Sequence, residues 1–279
     1  MRDFKLNQDN INIINLVPQF LMFYKKAVGC NENLRFQLWK EHYGFAAVPP
    51  GNEGEILSKQ MLNGAWEKYN SIIPYLENWK PDCTKIELYL SQVKNVLEYY
   101  KPISVTIVFF VGNFEGGAFV APQGDNSIAV CFPIENGEDE ITIVHELTHL
   151  VHAQKSGISM AWEKKLAILL LAEGLAMQLS KHLLPEFDDS QYIEHKKGWF
   201  QQCKSDEKDI IQGIIPYLNE SSSEIIFRFS IGTGTTGQTR EAYFVGWILI
   251  ENMLKNGWSF ADIAQIKEEN VVDIIVKYL

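Results

Sequence analysis

The stretch from Asp139 to Gly157 admits one regular structure, an α-helix with two opposed faces. On a wheel with His145 at zero, Ile143, Val144, Leu147, Leu150 and Val151 fall between about 140° and 260°. On the same wheel His149 lies near about 40° and Glu146 near about 100°. Asp139 and Glu140 occupy the expected first turn, where negative charge suits the helix dipole, and Gly157 offers a stop. A helix with one apolar face and one face bearing histidines belongs along the wall of a cleft.

The polar face carries His145-Glu146-Leu147-Thr148-His149. Imidazoles four residues apart on a helix can reach one metal ion, and the glutamate beside them flanks that ion without ligating it. From there it can accept a proton from a metal-bound water, which reads as the core of a zinc hydrolase. Two unrelated histidines on a solvated face would not need the apolar frame behind them.

A catalytic zinc takes three protein ligands and keeps an open position. His152 projects near about −20° on the wheel. Three imidazoles in a row down one helix cannot surround an ion tetrahedrally, so His152 reads as a cleft-wall residue or a support for a ligand. The metzincin pattern also fails, because it needs Gly where His152 stands and His where Lys155 stands. Glu173, 24 residues past His149, is the better third ligand. It lies within Leu170-Leu171-Ala172-Glu173-Gly174-Leu175-Ala176 on a second helix, expected over Ala161 to Leu184 and ended by Pro185. A carboxylate in that apolar setting is costly to bury unless it meets a cation, and its small neighbours let the helix approach closely.

At 46% hydrophobic residues the 279-residue chain can bury a core without staples. A net charge of −10 and a pI near 5.2 disfavour a surface that tracks phosphates, so no nucleic acid is expected. Cys30, Cys83, Cys131 and Cys203 show no CxxC spacing, which points to buried thiols in a reducing compartment rather than disulfides. The first ten residues lack the apolar core of a secretory signal, and the longest apolar run, Leu166 to Ala172, is too short to cross a bilayer. A cytoplasmic protein with no membrane partner is the expectation.

Asn10 to about Tyr100 reads as mostly helical, broken by Pro49-Pro50-Gly51, Pro74 and Pro81. Lys85 to Tyr100 carries Ile86, Leu90, Val93, Val96 and Leu97 at helical spacing. Ser104 to Val111, Gly116 to Ala121 and Ser127 to Phe132 carry strand signatures, expected as an antiparallel meander that is either a purely structural sheet or one whose edge pairs with an extended peptide. The expected fold is α+β and mainly helical, with a small antiparallel sheet before the His145 helix and a helical C-terminal part. Residues 1–102 are expected as a helical lobe and 103–279 as the domain bearing the site. Gly232-Thr-Gly234-Thr-Thr-Gly237 satisfies GxGxxG after a strand-like run, Glu224 to Ile231, and before a helix from about Arg240 to Leu254. No second parallel strand follows that helix, so the segment reads better as a flexible rim of the cleft than as a dinucleotide site.

HExxH followed by Glu-Gly-Leu-Ala on the next helix resembles the gluzincin group of zinc metallopeptidases. More narrowly, the chain resembles the bacterial family of predicted zinc-dependent proteases described as a domain of unknown function. The likeness runs over roughly 103–279 and includes Tyr243-Phe244-Val245-Gly246, a Tyr-x-x-Gly helix. It implies a zincin-like domain with one zinc at His145, His149 and Glu173, Glu146 as general base, and hydrolysis of peptide bonds in a peptide or protein substrate. A tyrosine or histidine from the C-terminal part usually stabilises the oxyanion in gluzincins. Tyr243 is the first choice by motif position, with His195, Tyr192 and Arg240 behind it. Some gluzincins carry an aspartate four residues after the glutamate ligand, where this chain has Met177. The competing expectation is a binding or regulatory protein that keeps zinc for stability alone.

Overall fold

In the computed structural model, residues 8–48, 51–122, 128–137, 139–158, 161 and 163–279 are described. The expected break at Pro49-Pro50 and the expected strand start at Ser127 lie outside them. The chain falls into two units, Met1–Ile86 with Pro102–Asp139, and Glu87–Lys101 with Glu140–Leu279. This differs from a boundary at residue 102, because the strand block joins the N-terminal helices and a short helical segment joins the C-terminal ones.

Among the described residues the first unit opens with a strand, β1 (Asn10–Asn15), in a stretch expected to be mostly helical. Asn15 accepts a hydrogen bond from the Val17 amide at 2.9 Å, and Pro18 then occupies the first turn of α1 (Val17–Ala27). Asn31 caps α2 (Glu32–His42) by accepting from the Leu34 amide. The long α3 (Asn52–Leu76) accommodates Pro74 in its last turn instead of ending before it. Phe20 on α1 packs against Phe23, Tyr43 and Tyr69, giving this unit an aromatic interior.

Three further strands, β2 (Ser104–Phe110), β3 (Phe119–Pro122) and β4 (Ile128–Pro133), complete a four-stranded sheet in the order β1-β2-β4-β3. The sheet is mixed, and the expected antiparallel meander is corrected. β2 runs parallel to both β1 and β4, and only β3 with β4 is antiparallel. Central β2 is buried from Val105 to Phe110, the near-continuous apolar run that parallel strands covered on both faces display. A meander would have put β3 beside β2, but β4 lies between them.

The second unit is helical. It takes up α4 (Cys83–Val96) from Glu87 onward, then α5 (Glu140–Ser156) and α6 (Leu166–Leu183). α6 starts five residues later than expected. It is long and apolar enough to cross a membrane, yet every residue from Leu166 to Ser180 is buried. Short helices α7 (Asp189–Ile193), α8 (Trp199–Ser205) and α9 (Glu207–Ile214) follow. Next come α10 (Ser223–Ser230), α11 (Glu241–Lys255), α12 (Phe260–Ile263) and α13 (Val271–Tyr278). The strand-like run 224–231 is thus a helix, started by Ser222, whose hydroxyl accepts from the Ile225 amide. α5 and α11 pack against α6.

Candidate metal centre

α5 forms over the expected span and ends at Gly157, whose φ of +73° no β-carbon-bearing residue adopts readily. Ile143, Val144, Leu147, Leu150 and Val151 are all buried, so the apolar face is as the wheel implies. On the other face the Nε2 atoms of His145 and His149 stand 3.0 Å apart. Glu173 of α6 brings Oε2 to 3.2 Å from His145 Nε2 and 3.5 Å from His149 Nε2. Two ring nitrogens and a carboxylate oxygen therefore face one small space. Ligands bonded tetrahedrally at about 2.0–2.2 Å from one ion stand roughly 3.3–3.6 Å apart, so one separation here matches, two are a few tenths of an ångström short, and small side-chain shifts let the set take a zinc-sized cation. Among the described residues it is also the one cluster of histidine, cysteine and acid groups compact enough to hold an ion.

The charges agree with the geometry. Burial would raise the Glu173 carboxyl, but the facing His149 and His145 reverse that and hold it well below the usual carboxylate range. Burial likewise pulls the His145 imidazole down, and Glu173 outweighs it, leaving a net rise. Glu146 is buried beside the cluster. Desolvation raises its carboxyl above the ordinary value against the pull of both histidines.

A close helix crossing brings Tyr243 in. A β-carbon on Gly174 would stand 2.1 Å from the Gly246 carbonyl oxygen, and one on Gly246 would stand 2.5 Å from that of Leu170. Only glycine at both positions lets α6 and α11 touch backbone to backbone. Glu173 precedes the first glycine, and Tyr243 lies one turn before the second. The charges of Glu173 and Glu146 accordingly add to burial in raising the Tyr243 hydroxyl. The guanidinium of Arg240 stacks 3.9 Å over the Tyr243 ring, and its charge reaches His145.

The other candidates are placed elsewhere. Tyr192 is buried, with its hydroxyl bonded to the Leu184 carbonyl at the end of α6. His195 sits by the loop before α11, its Nε2 3.1 Å from Thr239 Oγ1. His152 is not a cleft-wall residue: it is 2% exposed, and its Nε2 has no hydrogen-bond partner.

The glycine loop is no flexible rim. Glu241, fully buried, accepts hydrogen bonds from the amides and hydroxyls of both Thr235 and Thr236, at 2.7 to 3.1 Å. A β-carbon on Gly234 would strike that carboxylate at 2.1 Å. The loop cradles an anion of its own chain where a dinucleotide-binding loop would cradle phosphate.

The sequence signals Gly174 as a point of close helix approach but not its pairing with Gly246, and it gives no sign of Lys164. Lys164 is half-buried; desolvation lowers its ammonium while Glu173 pulls the other way. In the sequence, Glu163-Lys164-Lys165 looks like a solvated flank. Of the four cysteines, Cys131 and Cys203 are buried thiols as expected, whereas Cys83 is exposed and Cys30 half-buried. The chain matches no protein-family model, no curated protein and no solved structure.

Proposed function

We propose that the chain is a zinc-dependent peptidase with His145, His149 and Glu173 as the metal ligands. The convergence of these three donor atoms beside the buried carboxylate of Glu146 carries the reading. When bound, zinc supplies Lewis acidity, bringing the pKa of a water toward about 7 and polarising the substrate carbonyl. Glu146 takes a proton from the attacking water and passes it to the nitrogen of the leaving amine. Its raised proton affinity suits a group that must hold a proton between two transfers. Tyr243, kept protonated by its raised pKa, donates a hydrogen bond to the carbonyl oxygen as charge develops there.

Digestion of a peptide library by wild type and Glu146→Gln, with metal content measured on both, tests the reading. Cleavage should fall by about 10²–10⁴-fold in the variant while zinc stays bound. Zinc in both proteins with no cleavage by wild type would favour the non-catalytic, zinc-stabilised alternative.

A further inference from the structure

Arg240 has more holding it in place than a helix-flanking arginine needs. It precedes α11 with φ 57° and ψ 34°, the left-handed region that residues bearing a β-carbon rarely adopt. Both neighbours are pinned. The Thr239 carbonyl accepts from Trp199 Nε1 at 2.8 Å, and Glu241 is the buried anion at the centre of the glycine loop. The Arg240 amide itself donates to the Gly232 carbonyl at 3.2 Å. A strained residue fixed from both sides marks a place where the fold holds a side chain in one position.

The held side chain is half-buried, lies over the Tyr243 ring and hydrogen-bonds its hydroxyl, and the rest of the guanidinium fork has no other hydrogen bond or ion pair among the described residues. None of the ion pairs among the described residues includes Arg240. Its charge is felt at His145 and at Tyr243, whose ring it covers at 3.9 Å, so it stands beside the metal centre. Lys164 adds a second cation within the field of Glu173. These two cations offset Glu146 and Glu173, so a bound dication leaves the centre positive in a chain of net charge −10. A planar fork beside a positive centre is built to receive a carboxylate.

We propose that Arg240 binds a carboxylate of the substrate next to the scissile bond, so that the site selects peptides presenting an anion there. This rests on the peptidase reading and adds its substrate class. The carboxylate is either the C-terminus of the peptide or an acidic side chain.

The test uses the zinc-loaded Glu146→Gln protein, which should bind peptides without cleaving them. Calorimetry compares three pools of N-acetylated tetrapeptides: neutral with free C-termini, the same with C-terminal amides, and amides carrying Asp or Glu. At least one anionic pool should bind about tenfold or more tighter than the neutral amides. Which pool gains identifies the source of the carboxylate. Adding Arg240→Gln should abolish the preference with zinc content and melting temperature unchanged, and Arg240→Lys should keep part of it. Equal affinity for all pools, or a preference that survives Arg240→Gln, overturns this inference and leaves the peptidase reading standing. Zinc-loaded protein that binds no pool overturns both.

Discussion

His152 shows how sharply α5 divides its surfaces at the level of single side chains. It lies close to His145 and His149 in angle, yet it is buried with an unsatisfied nitrogen. Burial, helped by the positive charges of His149 and Lys164, pushes its pKa down to about 3. The unfolded chain therefore takes up this proton first, near about pH 6.5. The stability it contributes is complete above that pH and is lost as pH falls toward the folded value. Between pH 7 and pH 5 the loss from this residue is about 2 kcal/mol. Urea unfolding of metal-free protein should show wild type losing about 2 kcal/mol more than His152→Leu between the two pH values. Equal drops would mean that the imidazole is solvated. Tyr243 makes a second claim at this scale. Tyr243→Phe should lower kcat by about 10²–10³-fold with little change in KM, as loss of an oxyanion donor does. A change confined to KM would assign the hydroxyl to substrate binding.

Between elements, the α6–α11 crossing ties fold to site. Gly174→Ala must push the helices apart, costing at least about 2 kcal/mol and moving Tyr243 away from Glu173. Gly64→Ala, exposed in α3 with nothing within 4 Å of the added carbon, should instead stabilise by roughly 0.5–1 kcal/mol. Chemical denaturation of both variants checks the contrast, and similar shifts would refute the close crossing. Glu241→Gln replaces one accepting oxygen with a donor that faces donors, and should cost about 2 kcal/mol. A neutral result there would mean that the loop does not depend on the buried carboxylate. α5 was legible in the sequence because its chemistry repeats at the helical period: His145 and His149 on one face, Leu147 and Val151 on the other. α10 was not, since Ile225, Ile226, Phe227 and Phe229 are β-formers by type. What decides for helix is the Ser222 cap and the burial of Ile226, Phe229 and Ser230 on one side.

Across the whole molecule, the sheet was the least legible part. β1 pairs with β2 over a separation of 94 residues, and no local pattern encodes a partner so distant. Its sequence, Asn-Ile-Asn-Ile-Ile-Asn, alternates as an edge strand does, but six residues rich in asparagine are easily taken for a loop or a helix flank. The parallel direction of β2 was recoverable from its unbroken apolar run. The division into units was not, because it follows from that long-range pairing. The site is independent of these errors, since all its groups lie in Glu140–Leu279. The account therefore turns on whether those groups hold an ion. Zinc titration of the chelator-stripped chain by calorimetry tests this most directly. One zinc should bind per wild-type chain, with affinity lowered more than about 100-fold in His145→Ala, His149→Ala and Glu173→Ala alike. Wild type that takes up no zinc, or binding that survives loss of the Glu173 carboxylate unchanged, would contradict it.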